Sequence, residues 1–180
     1  MRIVVSGTHA SGKSTLIGHF VASHPQYRVL HDPFEELLDD RFDDLDADLF
    51  SRQLDIAAHR LAELPEGTDV IAERGPLDFL AYLHALEALG RPGRSRAAIR
   101  HGAALTRHAV ERVDLLVLLP LAYRDQISVS DDEDLELRDA MNDALLDLAA
   151  EPELSSPRVV ELTGDRAERL AQLEAVCLER

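Results

Sequence analysis

Nine residues constrain this chain more than any others: Gly7-Thr8-His9-Ala10-Ser11-Gly12-Lys13-Ser14-Thr15. They fit G-x-x-x-x-G-K-[ST], directly after the β-branched run Arg2–Ser6 and ahead of a helical stretch, Ser14–His24, that stops before Pro25. A strand, a glycine-rich turn and a helix in that order aim successive backbone N–H groups, and the positive end of the helix dipole, at phosphate oxygens. Lys13 reaches the β- and γ-phosphates as a compact charge, and the Ser14 hydroxyl is a ligand for Mg²⁺. Of 19 basic residues, Lys13 is the sole lysine, which marks a position where arginine's planar fork does not serve. All nine residues are expected to bind a nucleoside triphosphate, taken as ATP with Mg²⁺.

The rest of the sequence alternates short apolar runs with helical patterns, the signature of βαβ units around a mostly parallel sheet. Strands are predicted at Arg2–Ser6, Tyr27–His31, Asp69–Glu73, Val113–Leu119 and Arg158–Leu162, all covered on both faces. Helices are predicted at Ser14–His24, Asp46–Leu64, Leu77–Leu89, Ser95–Arg112, Asp134–Ala150 and Asp165–Leu178. The expected architecture is a three-layer α/β/α fold with a five-stranded parallel sheet. A length of 180 residues with 46% hydrophobic content supports one domain over 1–180.

Composition narrows the partners. A net charge of −15 argues against nucleic acid, which is gripped by clustered Lys and Arg. The single cysteine, Cys177, excludes an internal disulfide and a cysteine metal site. The longest apolar run, Leu115–Ala122, is too short to cross a bilayer, and a soluble cytoplasmic protein without a membrane partner is expected. Oligomerisation is left open.

Ligands of parallel sheets bind at the carboxyl ends of the strands, so a catalytic acid is sought there. Glu73 ends the third strand and Arg74 follows it. A carboxylate near the metal and a cation on the developing charge are what phosphoryl transfer requires. Guanine-specific GTPases need a second lysine in Asn-Lys-x-Asp, and this chain has none to spare.

The phosphate-binding loop together with Glu73-Arg74-Gly75-Pro76-Leu77-Asp78 resembles the nucleoside- and nucleotide-kinase-like P-loop enzymes, and also the small ATPase/kinase domains related to nicotinamide riboside kinase. The resemblance implies a kinase that moves the γ-phosphoryl of ATP to a hydroxyl of a nucleoside-like or cationic small acceptor. By similarity to the Glu-Arg-Ser element of deoxynucleoside kinases, Glu73 supports Mg²⁺ and Arg74 holds the acceptor and the transferring phosphoryl. Gly75 stands where those enzymes have serine. Asp32-Pro33 takes the place of their Glu-Pro pair, making Asp32 the general base, with Glu35 and Glu36 as alternatives; Asp32 as a simple turn cap is the competing reading. Phe50-Ser51-Arg52-Gln53 is a loose version of their base-reading helix, with Gln53 the acceptor contact. A lid over about 120–138 is implied, carrying Arg124 as the catalytic lid arginine and Arg138 at the start of the next helix. Asp165, with Glu168 three residues on, reads as a helix cap. Eight acids between Glu35 and Asp48 would repel an anionic acceptor if they border its pocket. The alternative is a nucleotide-dependent switch or assembly ATPase with no small-molecule acceptor.

Overall fold

The computed structural model describes residues 1–37, 46–91, 95–121, 134–154 and 157–179. Five parallel strands form one sheet: β1 (Arg2–Ser6), β2 (Arg28–Leu30), β3 (Val70–Glu73), β4 (Leu115–Leu118) and β5 (Arg158–Glu161), in the order β2-β3-β1-β4-β5. Among the described residues, six helices connect and cover them: α1 (Lys13–Ser23), α2 (Ala47–Ala62), α3 (Pro76–Ala88), α4 (Ser95–Val110), α5 (Leu135–Ala150) and α6 (Arg166–Leu178). Each predicted element is present, with ends shifted by a few residues. A 3₁₀ turn, Pro33–Leu37, was not foreseen.

Side-chain alternation along the strands builds two cores. Val4, Ala72, Leu116 and Leu118 face α2, α3, α4 and α5, whereas Ile3, Val5, Ile71, Leu115 and Val117 face α1 and α6. The three central strands are buried on both faces, as their unbroken apolar sequences require. The edge strands depart from that expectation: in β5 the ends Arg158 and Glu161 are exposed, and in β2 Arg28 is.

Register fixes what meets at the carboxyl edge. Val5 is level with Glu73, and Leu30 with Ala72, so Asp32 and Arg74 both emerge just beyond the ends of paired strands. The loop after β1 leaves on the other side of Arg74, between the ends of β3 and β4. α3 starts at once because Pro76 occupies its first turn and Gly75 its N-cap. At its far end Gly90 is left-handed (φ 63°), and the Arg91 N–H donates to the Leu86 carbonyl at 3.0 Å, closing the helix with a hydrogen-bonded turn.

Candidate functional site

The phosphate-binding loop is shaped by backbone that only some residues tolerate. Gly12 is left-handed at φ 91°, and Ala10 at φ 52°. At Gly7 any Cβ would lie 2.6 Å from Ser11 Oγ and 2.9 Å from the Leu119 carbonyl, so the first glycine is dictated by space. Two side chains from distant sequence hold the loop. Asp78, on the first turn of α3, is fully buried and accepts hydrogen bonds from Ser6 Oγ (2.6 Å), Gly7 N (2.9 Å) and Gly75 N (2.9 Å). Burial pushes its carboxyl above the usual carboxylate range, against those bonds and Arg74, which favour the charge. Arg169, on α6, donates from Nη1 to the Ser11 carbonyl at 3.0 Å.

Lys13 is 4% exposed, and its Nζ donates to the Thr8 carbonyl at 2.6 Å. Burial, and then the neighbouring Arg74 guanidinium, pull the ammonium down to about 7, although Asp78, Glu73 and Asp32 favour its charge. Ser14 Oγ donates to Glu73 Oε1 at 2.7 Å. A hydroxyl and a carboxylate side by side, with oxygen donors only, form a hard-ligand set that fits Mg²⁺.

Arg74 occupies the left-handed region at φ 65°, a conformation costing on the order of 1–3 kcal/mol for a side chain of this kind. Its N–H donates to the Val5 carbonyl at 3.0 Å, and its Nε donates to Asp32 Oδ2 at 2.8 Å. The guanidinium lies over the rings of Tyr82 (5.3 Å) and Phe79 (6.0 Å), and Tyr82 in turn stacks on Phe50 at 4.3 Å and 4°. Burial opposes the Arg74 charge, but Tyr82, Asp32 and Asp78 outweigh it and hold its pKa above the ordinary arginine value. Its Nη1 is buried with no hydrogen-bond partner among the described residues. An unpaired guanidinium nitrogen is expensive to keep in a folded protein, and an incoming anion or hydroxyl would satisfy it.

Two cavities open on these residues. One of about 880 Å³ is lined by residues 9–16 of the loop and α1, by Glu73 and Arg74, and by Gly164–Ala167 and Arg169 at the start of α6. The other, about 530 Å³, lies between α2, α3 and α5, with Phe34, Glu35, Phe50, Gln53, Phe79, Tyr82 and Arg138 in its lining. His9, Ser14, Asp32, Glu73 and Arg74 line both, so the cavities meet over the Ser14–Glu73 pair and the Asp32–Arg74 pair.

The predicted site residues fall into place unevenly. Residues 9–15 line the first cavity, but Gly7 and Thr8 stand behind it: the Gly7 amide is committed to Asp78 and the Thr8 carbonyl to Lys13. Asp32 fills the turn-cap role, its Oδ1 accepting the Phe34 N–H (3.0 Å) at the 3₁₀ turn, while its Oδ2 accepts from Arg74 Nε (2.8 Å). Gln53 is buried and lines the second cavity. Of the eight acids, Glu35 lines that cavity, Glu36 pairs with Arg60, and Asp46 caps α2 through the Leu49 N–H. Arg124 and most of the expected lid lie outside the described residues; Arg138 reaches the loop, donating from Nε to the His9 carbonyl at 3.1 Å. Asp165 and Glu168 form the cap box of α6, as expected. Gly75 has a physical cause, since a Cβ there would sit 2.8 Å from Val4 Cγ1, so this chain has no room for the serine of the Glu-Arg-Ser element.

A family model described as an AAA domain matches residues 2–169. No curated protein matches the chain in sequence. Solved structures do match it. Thymidylate kinase from Candida albicans aligns with a TM-score of 0.70 at 18% identity, over 98% of this chain and 90% of that one. Deoxyadenosine kinase from M. mycoides with bound dATP aligns with a TM-score of 0.74 at 14% identity, over 99% and 100%. NadR protein in complex with NR aligns with a TM-score of 0.68 at 21% identity, over 97% of this chain and 50% of that one. At these identities the likeness is one of fold: a P-loop α/β sheet shared with nucleoside and nucleotide kinases.

Proposed function

The chain belongs to the AAA domain family and has the fold of nucleoside and nucleotide kinases, and on that premise we propose that it is an ATP- and Mg²⁺-dependent kinase for a small hydroxyl acceptor. The observation that carries this reading is the meeting of two cavities over one set of reacting groups. A switch or assembly ATPase needs the first cavity but has no use for a second one lined by aromatic rings and a buried amide.

The first cavity takes the triphosphate. Backbone amides of residues 9–14 and the N-terminus of α1 receive its phosphates, with the Lys13 ammonium beside the β- and γ-oxygens. Ser14 and Glu73 would hold Mg²⁺, which when bound neutralises charge on the phosphate oxygens. The second cavity takes the acceptor. Its hydroxyl attacks the γ-phosphorus in line, the bond to the β-γ bridging oxygen breaks, ADP leaves, and the hydroxyl proton passes to the Asp32 carboxylate. Arg74, oriented by Asp32 and by the rings of Tyr82 and Phe79, offers its unpaired Nη1 to the equatorial oxygens of the transferring group.

The lining also bears on acceptor class. Phe34, Phe50, Phe79 and Tyr82 provide flat apolar contacts, and Gln53 a donor and an acceptor for a heterocycle edge. With Asp32 paired to Arg74 and Asp134 to Arg91, Glu35 and Glu73 still outnumber Arg138 there. A neutral or cationic acceptor such as a nucleoside fits this charge balance better than a nucleoside monophosphate. The test is ADP formation from ATP and Mg²⁺ with and without deoxyadenosine, thymidine, nicotinamide riboside and the monophosphates of the first two. Stimulation by an uncharged or cationic acceptor is expected. Slow ATP turnover that no acceptor changes would sink the proposal, and faster turnover with a monophosphate would reverse the acceptor class.

A further inference from the structure

One wall of the second cavity is the first turn of α5, contributing Asp134, Leu137 and Arg138. That turn is tied at both ends to parts of the molecule distant in sequence. At one end Arg91 grips the Asp134 carboxylate with both terminal nitrogens, Nη2 to Oδ1 at 2.9 Å and Nη1 to Oδ2, with Glu136 adding a third oxygen at 3.6 Å. At the other end, one turn along, Arg138 donates to the His9 carbonyl of the phosphate-binding loop. Arg91 lines neither cavity. Its backbone is fixed by the hydrogen-bonded turn that closes α3, the helix that supplies Phe79 and Tyr82 to the same cavity. Asp134 carries a second duty, since its Oδ1 also accepts the Leu137 N–H at 3.0 Å and caps α5.

We propose that Arg91 is a positioning residue for the acceptor pocket: by clamping Asp134 it holds the first turn of α5 between α3 and the phosphate-binding loop, and so sets acceptor affinity and couples that wall to nucleotide occupancy. The proposal rests on the second cavity being the acceptor site. The physical basis is geometric. A planar guanidinium bound two-fold to a carboxylate fixes direction as well as distance, which a single surface contact does not. The far end of the same turn rests on the loop that receives the phosphates. A nucleotide that orders the loop therefore orders Arg138, and through it the cavity wall, provided the other end is anchored. Arg91 is the anchor.

The partner substitutions separate the clamp from the cap. Asp134→Asn keeps an N-cap side chain of equal quality but removes the charge that Arg91 binds. Arg91→Met removes the clamp and leaves the cap. Both variants should raise the KM of whichever nucleoside the wild type phosphorylates by roughly 3- to 30-fold, with a smaller rise in the KM of ATP, and the double variant should be no worse than either single one. Arg91→Lys, which cannot bind two-fold, should restore part of the loss. Equal rises in both KM values, or no change in either, would overturn the proposal.

Hydrogen exchange gives an arm that needs no acceptor. The Leu137 and Arg138 amides, bonded to Asp134, should exchange faster in Arg91→Met than in wild type. In wild type, Mg²⁺ with a non-hydrolysable ATP analogue should slow exchange over residues 134–141 as well as 7–15, and Arg91→Met should lose the first effect and keep the second. Protection of 7–15 alone in wild type would overturn the coupling. Protection of neither would count against the nucleotide site itself, while the nucleotide-free comparison of the two proteins would still decide whether Arg91 anchors the turn.

Discussion

Lys13 is a buried amine, and its cost in the free protein can be measured. The side chain is 4% exposed and titrates near 7 in place of 10.5. Its folded pKa is lowered, so between those values the unfolded chain binds more protons than the folded one, and stability rises with pH across that window. The burden is largest below pH 7 and gone above about pH 10.5. Integrating the linkage between pH 7 and pH 9 gives the wild type a gain of about 2 kcal/mol relative to a variant without the amine. For a protein of this size that corresponds to about 4–8 °C in melting temperature. Lys13→Met is the reference, because it keeps the length of the side chain and removes the titrating group. The assay is thermal unfolding of both proteins, without nucleotide, at intervals from pH 6.5 to pH 9.5. The variant should melt higher than the wild type at pH 7, and the gap should close by that amount as the pH rises. Taking the difference cancels the general effect of raising pH on an acidic chain. A gap that stays constant with pH would refute the reasoning, because it would mean that Lys13 keeps an ordinary pKa in the folded state.

Further outcomes follow from individual contacts. Lys13→Ala should abolish phosphoryl transfer while the protein remains folded, checked by ADP release alongside circular dichroism. Asp32→Asn should lower kcat by a factor of about 10² or more with little change in ATP affinity; an unchanged rate would move the base to Glu35. Asp78→Ala leaves the donors at Ser6, Gly7 and Gly75 without their acceptor, and should cost about 3 kcal/mol or more in denaturant unfolding. Gly75→Ser, which would complete the Glu-Arg-Ser element, should destabilise by roughly 1–3 kcal/mol because its Cβ meets Val4, and should not raise activity.

The sequence was most informative where function and backbone geometry coincide. The phosphate-binding loop needs particular residues at fixed spacing, so it announced itself, and the apolar runs of β1, β3 and β4 followed from burial on both faces. Glu73, Arg74 and Asp32 could be placed together because parallel strands end at one edge of the sheet. Less legible was everything that depends on which strand ends lie side by side. Asp32 and Arg74 are 42 residues apart, and their pairing follows only from the register of β2 on β3. Asp78 had a local signal, an acid three residues into a helix that opens with Gly-Pro, but that pattern predicts a cap and not a bond to the Gly7 amide 71 residues away. Arg169 on Ser11 and Arg91 on Asp134 left no local trace, since arginines on helix flanks usually face water. Phe79 and Tyr82 are buried in α3, yet both line the second cavity, which no local pattern signals. Gly75 looked like a defect in a motif until Val4 supplied the reason for it.

The central claim is that two cavities meet at one transfer point, and acceptor-dependent ADP formation tests it most directly. ATP, Mg²⁺ and the purified protein, with and without each nucleoside, should give ADP at a rate that one acceptor class raises, with one phosphorylated acceptor for each ADP. ADP formed at the same rate whatever acceptor is present, with no phosphorylated product, would contradict the account and leave the second cavity without the role assigned to it.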